Sequence, residues 1–301
     1  MRSHLGLHIS LLGEFQIIYG SGLAPNFSGD RPISLLAYLL LHRQAPVSRQ
    51  RLAFTLWPDS TESQARTNLR NLYYTLRHTL PDADSYIAAD AMTLQWRNDA
   101  DVVLDIVEFE KALTAAKTVD SIQEKINLLE EAISIYNGDL LPGNYDDWII
   151  PWREELRQAF LDTMQQLVEL QEEVGEYRAA ARIAQRLIQQ DSLDEPAYVQ
   201  LMRLYARNGD RAGVRRVYES CVVALRRELD LEPSPATQAA YEELLRLPDA
   251  SASLKEVPVS TLELGYFCIS LQKGIFQRYL VEYVDPSRAT NSCTIASMSI
   301  G

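Results

Sequence analysis

The stretch Thr61-Glu62-Ser63-Gln64-Ala65-Arg66-Thr67-Asn68-Leu69-Arg70-Asn71-Leu72-Tyr73-Tyr74-Thr75-Leu76-Arg77-His78-Thr79-Leu80 carries two chemistries on one helical repeat. Ala65, Leu69, Leu72, Tyr73, Leu76 and Leu80 follow at spacings of 4, 3, 1, 3 and 4, which trace one buried stripe. At about 100° per residue the opposite face collects Thr67, Arg70, Asn71, Tyr74, Arg77 and His78, with Arg66 at its edge. That face offers guanidinium forks, an amide and hydroxyls, and it has no acid. A plain solvated helix interleaves Glu with Lys or Arg at i,i+4. Here the acid is Glu62, in the first turn, where it suits the helix dipole. Arg pairs with guanine edges and Asn with adenine edges, and Tyr and Thr hydroxyls meet phosphate oxygens. An exposed basic helix without a ligand is the plainer alternative.

Working outward, Leu5 to Tyr19 alternates loosely and is rich in β-branched and aromatic residues, with Gly13 at a turn or bulge. Gly20 to Gly29 reads as a loop. Pro32 opens a helix that buries Leu35, Leu36, Leu39 and Leu40, and Pro46 ends it. Ser48 caps a short helix from Arg49 to Leu56. Trp57-Pro58-Asp59-Ser60 stops that helix and supplies the next cap. After Leu80, Asp82 to Asp84 is a turn, and Tyr86-Ile87-Ala88 with Thr93-Leu94-Gln95-Trp96 brackets a hairpin. Strands, three helices and a terminal hairpin are the parts of a winged helix, whose third helix enters the major groove.

Net charge taken whole points away from nucleic acid: 29 Lys and Arg face 41 Asp and Glu, a balance of −12. The distribution says otherwise. Residues 1–100 hold nine Arg, no Lys and eight acids, and the rest of the chain carries −13. Five Arg fall between Arg49 and Arg77 against Asp59 and Glu62. Such asymmetry marks an interaction surface, although a +1 segment is also simply near neutral.

Residues 101–247 read as a helical array. Amphipathic stretches run from Asp105 to Lys117 and from Ser121 to Tyr136, then break at Gly138-Asp139-Leu140-Leu141-Pro142-Gly143. A long helix from Asp147 to Val174 has Pro151 in its first turn. Further helices open at Gly175-Glu176-Tyr177, at Asp194-Glu195-Pro196 and at Asn208-Gly209-Asp210. Gly175 and Gly209 lie 34 residues apart, the period of tetratricopeptide helix pairs. In the spacing Tyr177, Ala180, Ala181, Ala184, the alanines supply the small residues of a close helix contact.

The chain resembles the antibiotic-regulatory-protein type of activator, which joins a response-regulator-type winged helix to a bacterial transcriptional activator domain. The resemblance rests on Leu11-Leu12-Gly13-Glu14-Phe15, Arg31-Pro32, Leu35 to Leu40, Val47-Ser48-Arg49, Leu56-Trp57-Pro58-Asp59, Asn68-Leu69 and Leu76-Arg77. It continues in Asp139 to Gly143, Trp148, Trp152, Leu225 to Leu229 and Leu231 to Pro235. It implies a mainly α chain: an α+β winged-helix DNA-binding domain over 1–100, an all-α tetratricopeptide-like array over 101–247, and a linker and tail over 248–301. It makes 61–80 the recognition helix and places Arg31, Arg49 and Arg51 near the phosphate backbone. His78 joins that phosphate set, and Arg66, Thr67, Arg70, Asn71, Tyr74 and Arg77 form the base-reading face. The implied partners are double-stranded DNA, RNA polymerase or other transcription proteins, and further copies of the chain on tandem sites.

The tail departs from this pattern, with strand-like stretches between Leu262 and Val284 after a linker from Pro248 to Pro258. No enzyme signature occurs: H-E-x-x-H, G-x-S-x-G, G-x-G-x-x-G, C-x-x-C and a P-loop are all missing. No cofactor or metal is expected. Glu130-Glu131, Glu154-Glu155 and Glu172-Glu173 read as solvated faces, and Cys221 as core. No apolar run reaches the ~18 residues of a membrane span, and three scattered Cys suit a reducing cytoplasm. The expected function is a sequence-specific DNA-binding transcription activator. Two alternatives stay open: a protein-interaction adaptor that has lost DNA binding, and a small-molecule sensor using the array groove.

Overall fold

The computed structural model describes residues 6–20, 22–23, 27, 29–99, 101–246, 267–268 and 279–280. The described residues between 6 and 246 form one compact unit. Its N-terminal sheet contains β1 (Leu7–Ser10), β2 (Gln16–Tyr19) and β3 (Gly22–Leu23). β1 and β2 pair antiparallel, Leu7 opposite Tyr19, around a connection in which Gly13 sits at φ 87°. Leu7 and Ile9 are buried while His8 is exposed, the period-2 alternation of a half-covered strand.

Three helices follow: α1 (Asp30–Leu41), then β4 (Val47–Ser48), α2 (Arg49–Leu56) and α3 (Glu62–Thr79). α1 begins two residues ahead of Pro32. Proline is tolerated there because the first four N–H groups of a helix have no partner within it. Ser48 caps α2, as expected, but α3 is capped by Thr61 rather than Ser60: the Thr61 hydroxyl accepts from the Gln64 amide. The turn expected at Asp82 to Asp84 is a single-turn helix, α4 (Ala83–Tyr86), entered through Asp82 at φ 51°. The hairpin is β5 (Ile87–Ala89) and β6 (Thr93–Trp96), and β4 pairs on β6 to make a three-stranded sheet.

One strand falls where the helical array was expected to begin. β7 (Val102–Leu104) pairs parallel with β1, Leu7 opposite Val102 and Ile9 opposite Leu104, and closes the edge of the N-terminal sheet. A boundary at residue 100 therefore cuts the sheet. Asp105, which follows directly, accepts the amides of Leu11 and Leu12 through Oδ2, both at 2.7 Å. Burial pushes its carboxyl above the ordinary value, against the pull of three backbone N–H donors.

The array comprises α5 (Asp105–Thr118), α6 (Ile122–Ile135), a 3-10 turn (Asp147–Ile149) leading into α7 (Ile150–Glu173), α8 (Tyr177–Gln190), α9 (Glu195–Arg207), α10 (Arg211–Leu229) and α11 (Pro235–Arg246). Each helix from α5 to α10 packs on the next, and α11 rests on α9 and α10. Gly175 and Gly209 take φ 80° and 77° just beyond the ends of α7 and α9. That left-handed conformation closes a helix and suits a residue without Cβ. Ala180, Ala181, Ala184, Met202, Val214 and Cys221 lie in the second core cluster. The first cluster runs without a break from Leu7 through α1 to Leu167, so the N-terminal elements and the array share a core.

The linker expected over 248–258 lies outside the described residues, as does most of the tail. There, β8 (Phe267–Cys268) and β9 (Tyr279–Leu280) pair antiparallel, inside the stretches expected to be extended. Among the described residues, no helix is long and apolar enough to cross a membrane, and no cluster of His, Cys, Asp or Glu is arranged to hold a metal.

Candidate nucleic-acid interface

α3 buries Ala65, Leu69, Leu72 and Leu76 and packs on α1 and α2. Its other face is open: Arg66, Thr67, Arg70, Asn71, Tyr74, Arg77 and His78 are all exposed. Tyr74 is the most prominent, 65% exposed, with its ring 4.0 Å from the His78 imidazole. His78 is further fixed by a contact of 2.8 Å between Nδ1 and the Tyr74 carbonyl.

The donors on this face are not equally free. Arg66 pairs with Glu62 one turn earlier, and Arg77 pairs with Asp84 of α4. The Arg77 hydrogen bond holds the Asp84 carboxyl below its ordinary value and lifts Arg77. Thr67 donates its hydroxyl proton to the Ser63 carbonyl at 2.9 Å, which leaves only lone pairs for a ligand. Arg70 and Asn71 have no side-chain partner among the described residues. They are the unengaged fork and amide at the middle of the helix.

A notch of about 430 Å³ lies beside them, lined by Ser48, Arg49, Arg66, Arg70, Asp90 and Met92, among others. It brings together the N-terminus of α2, the middle of α3 and the tip of the hairpin. The tip is built by Asp90, whose carboxylate accepts from the amides of Met92 and Thr93 and from the Thr93 hydroxyl. Those bonds hold its carboxyl below the ordinary value. Met92 stands out from the tip, 72% exposed.

Arg49 and Arg31 have structural partners that the sequence did not reveal. The Arg49 amide donates to the Met92 carbonyl and its Nε to the Asp90 carbonyl, both at 2.8 Å. Its guanidinium lies 5.3 Å from the Tyr73 ring. Arg49 thus ties the hairpin tip to α2 and α3. Arg31 pairs with Asp146, ahead of the 3-10 turn, at 2.9 Å and lies 5.9 Å over Trp57. It is a clamp between α1 and the array. Arg51 is exposed in the first turn of α2, and its amide donates to the Ser48 hydroxyl.

A second basic face escaped the sequence reading. Arg178, Arg182 and Arg186 recur every fourth residue on α8, exposed and without a partner among the described residues. α8 has no acid at all. Arg at i, i+4 and i+8 without Glu is the signal that marks it, overshadowed by the alanines of the buried face. Beneath it lies a groove of about 600 Å³ lined by Tyr177, Arg178, Arg182, Gln185, Tyr205 and Asp210, among others.

Residues 104–245 match the family model of the bacterial transcriptional activator domain. The transcriptional regulatory protein EmbR of Mycobacterium tuberculosis is 24% identical over 267 residues, which cover 85% of this chain and 68% of EmbR. The transcriptional regulatory protein MoaR1 of the same organism is 25% identical over 223 residues, 71% of each chain. The solved structure of M. tuberculosis EmbR in complex with a low affinity phosphopeptide shares the fold, with a TM-score of 0.64 at 20% identity. The superposition covers 91% of this chain and 77% of that one. These similarities support a bacterial transcription regulator.

Proposed function

We propose that this protein is a sequence-specific DNA-binding transcription activator. α3 lies in the major groove, and the β5–β6 hairpin is the wing that follows the adjacent backbone. Arg70 and Asn71 read base edges at the centre of the helix, flanked by Arg66, Thr67, Tyr74 and Arg77. Thr67 takes part as an acceptor, since its proton is used within the helix. Arg66 and Arg77 exchange their exposed acids for the nucleic acid, because exposed ion pairs hold little free energy. Arg51 and His78 meet phosphates, with the positive end of the α2 helix dipole adding positive potential. Arg49 and Arg31 act on the interface indirectly, through the hairpin and through the array. The tetratricopeptide-like array contacts RNA polymerase or other transcription proteins, or orders copies on tandem sites.

The observation that carries this reading is the open Arg70–Asn71–Tyr74 face beside a notch framed by the α2 N-terminus and an anchored hairpin tip. The test is selection of bound sites from random duplex DNA. A defined motif whose binding weakens with salt is expected, since phosphate contacts release counterions. Binding that is absent or indifferent to salt overturns it.

A further inference from the structure

We infer that a cavity at the seam between the N-terminal sheet and the array is a binding site for a small apolar molecule carrying an ammonium group. This cavity has a volume of about 580 Å³. That is within the roughly 300–1,000 Å³ of pockets that hold small organic ligands, which favour the junctions between domains. One wall comes from the β1–β2 connection and the start of α1, with Gly13, Glu14, Phe15, Asp30 and Ile33. The other comes from the Asn137–Asn144 loop between α6 and α7.

The walls meet backbone to backbone. Gly13 donates its amide to the Asp139 carbonyl at 3.0 Å, and the Leu141 amide donates to the Leu11 carbonyl at 2.9 Å. Gly13 and Gly138 approach so closely that a Cβ on Gly138 would stand 3.2 Å from the Gly13 Cα. With no side chain at that contact, the two backbones close on each other, and the apolar lining falls to Phe15, Ile33, Leu141 and Pro142. Leu141 is held at φ 41°, a conformation that costs a non-glycine residue free energy and is retained where the surroundings dictate it.

Charge selects the ligand. Glu14, Asp30 and Asp139 line the cavity and no Lys, Arg or His does. Two neighbouring cations are committed elsewhere. Arg153 donates to the carbonyls of Leu140, Leu141 and Asn144 from behind the loop, and Arg31 is paired with Asp146. Glu14 and Asp30 are exposed, with no side-chain partner among the described residues. An apolar body thus finds apolar walls, a cationic end finds the unpaired carboxylates of Glu14 and Asp30, and an anion meets a lining whose charged side chains are all acids.

The test titrates 2-phenylethylamine, 2-phenylethanol and 3-phenylpropanoate into the full chain at neutral pH while following backbone amide shifts. Saturable shifts at Gly13, Gly138 and Gly143 are expected, strongest for the amine and weakest for the carboxylate. Solvent-screened carboxylates give a preference of amine over alcohol of roughly two- to fivefold. The double variant E14Q/D30N brings amine and alcohol together. A leucine at Gly143, where a Cβ meets nothing within 4 Å, weakens all three ligands and leaves the melting temperature unchanged. No saturable shift with the amine, shifts centred elsewhere, or equal binding of the carboxylate overturns the assignment. If G143L fails to fold, E14Q/D30N decides alone.

Discussion

α3 and α8 each present three arginines on an exposed face, yet the two faces differ in kind. On α8 all three guanidiniums are unpaired, whereas on α3 Arg66 and Arg77 already hold acids and only Arg70 is unengaged. Judged by free charge alone, α8 is the better anion binder. What α3 has instead is variety and a frame. An amide, two hydroxyls and an imidazole alternate with its forks, and the anchored hairpin and the α2 N-terminus border it. Loose positive charge attracts any anion, whereas reading a base edge requires a donor and an acceptor held at fixed positions.

The sharpest way to break this contrast is to remove one group from each helix. On the preferred DNA site, R70A or N71A is expected to weaken binding by about 1–3 kcal/mol and to relax base preference at one position. R182A is expected to change neither, with fluorescence anisotropy at fixed salt as the measurement. Equal losses from both helices would erase the distinction.

The next effect separates stability from recognition. A Cβ on Gly213 would stand 2.6 Å from the Tyr205 ring, at the contact of α9 with α10. Overpacking of this kind outweighs the helix propensity gained, so G213A is expected to cost about 1–2 kcal/mol of stability. Chemical denaturation reads the loss, while the DNA site preference stays as it was.

Smaller still is the contribution of the frame. R49A releases the hairpin tip and is expected to weaken all sequences by about 1 kcal/mol, the worth of a hydrogen bond. R51A is expected to lower the slope of log affinity against log salt by about one, the signature of a lost phosphate contact. An R49A protein that loses sequence preference instead would move Arg49 from the frame to the reading face.

The last effect belongs to the array core and is silent at neutral pH. Burial lifts the Cys221 thiol to about 11 from an ordinary 9.0. The folded state therefore holds this proton more tightly than the unfolded chain, and stability falls as pH rises from about 9 through 11. C221A is expected to flatten that part of the profile. Iodoacetamide at pH 8 is expected to spare Cys221 in the native protein, with peptide mass analysis as the readout.

Much of this was legible in the sequence where the determinants are local. The α3 stripe, its terminal cap region and the hairpin follow from spacings within twenty residues. The helices of the array follow from their apolar period and from Gly175 and Gly209. What could not be read is long-range. β7 is three residues long and becomes a strand only because β1, far upstream, offers an open edge. The pairing of Arg31 is hidden because its acid, Asp146, is 115 residues away. The tie made by Arg49 is hidden because its acceptors are backbone carbonyls, which every residue has. The seam cavity is assembled from three separate segments, and none of them carries a motif.

The placement of β7 and Asp105 has a consequence for how such a protein is divided and inherited. The strand that completes the N-terminal sheet, and the carboxylate that satisfies Leu11 and Leu12, are encoded at the head of the helical array. A fragment ending at residue 100 would expose a sheet edge and strand two amides. Recombination that exchanges the N-terminal portion must carry residues 102–105 with it, or find a recipient array that supplies the same strand and acid. The two halves are thus a matched pair rather than interchangeable beads, and a graft that ignores the match is expected to yield insoluble protein before it yields altered specificity.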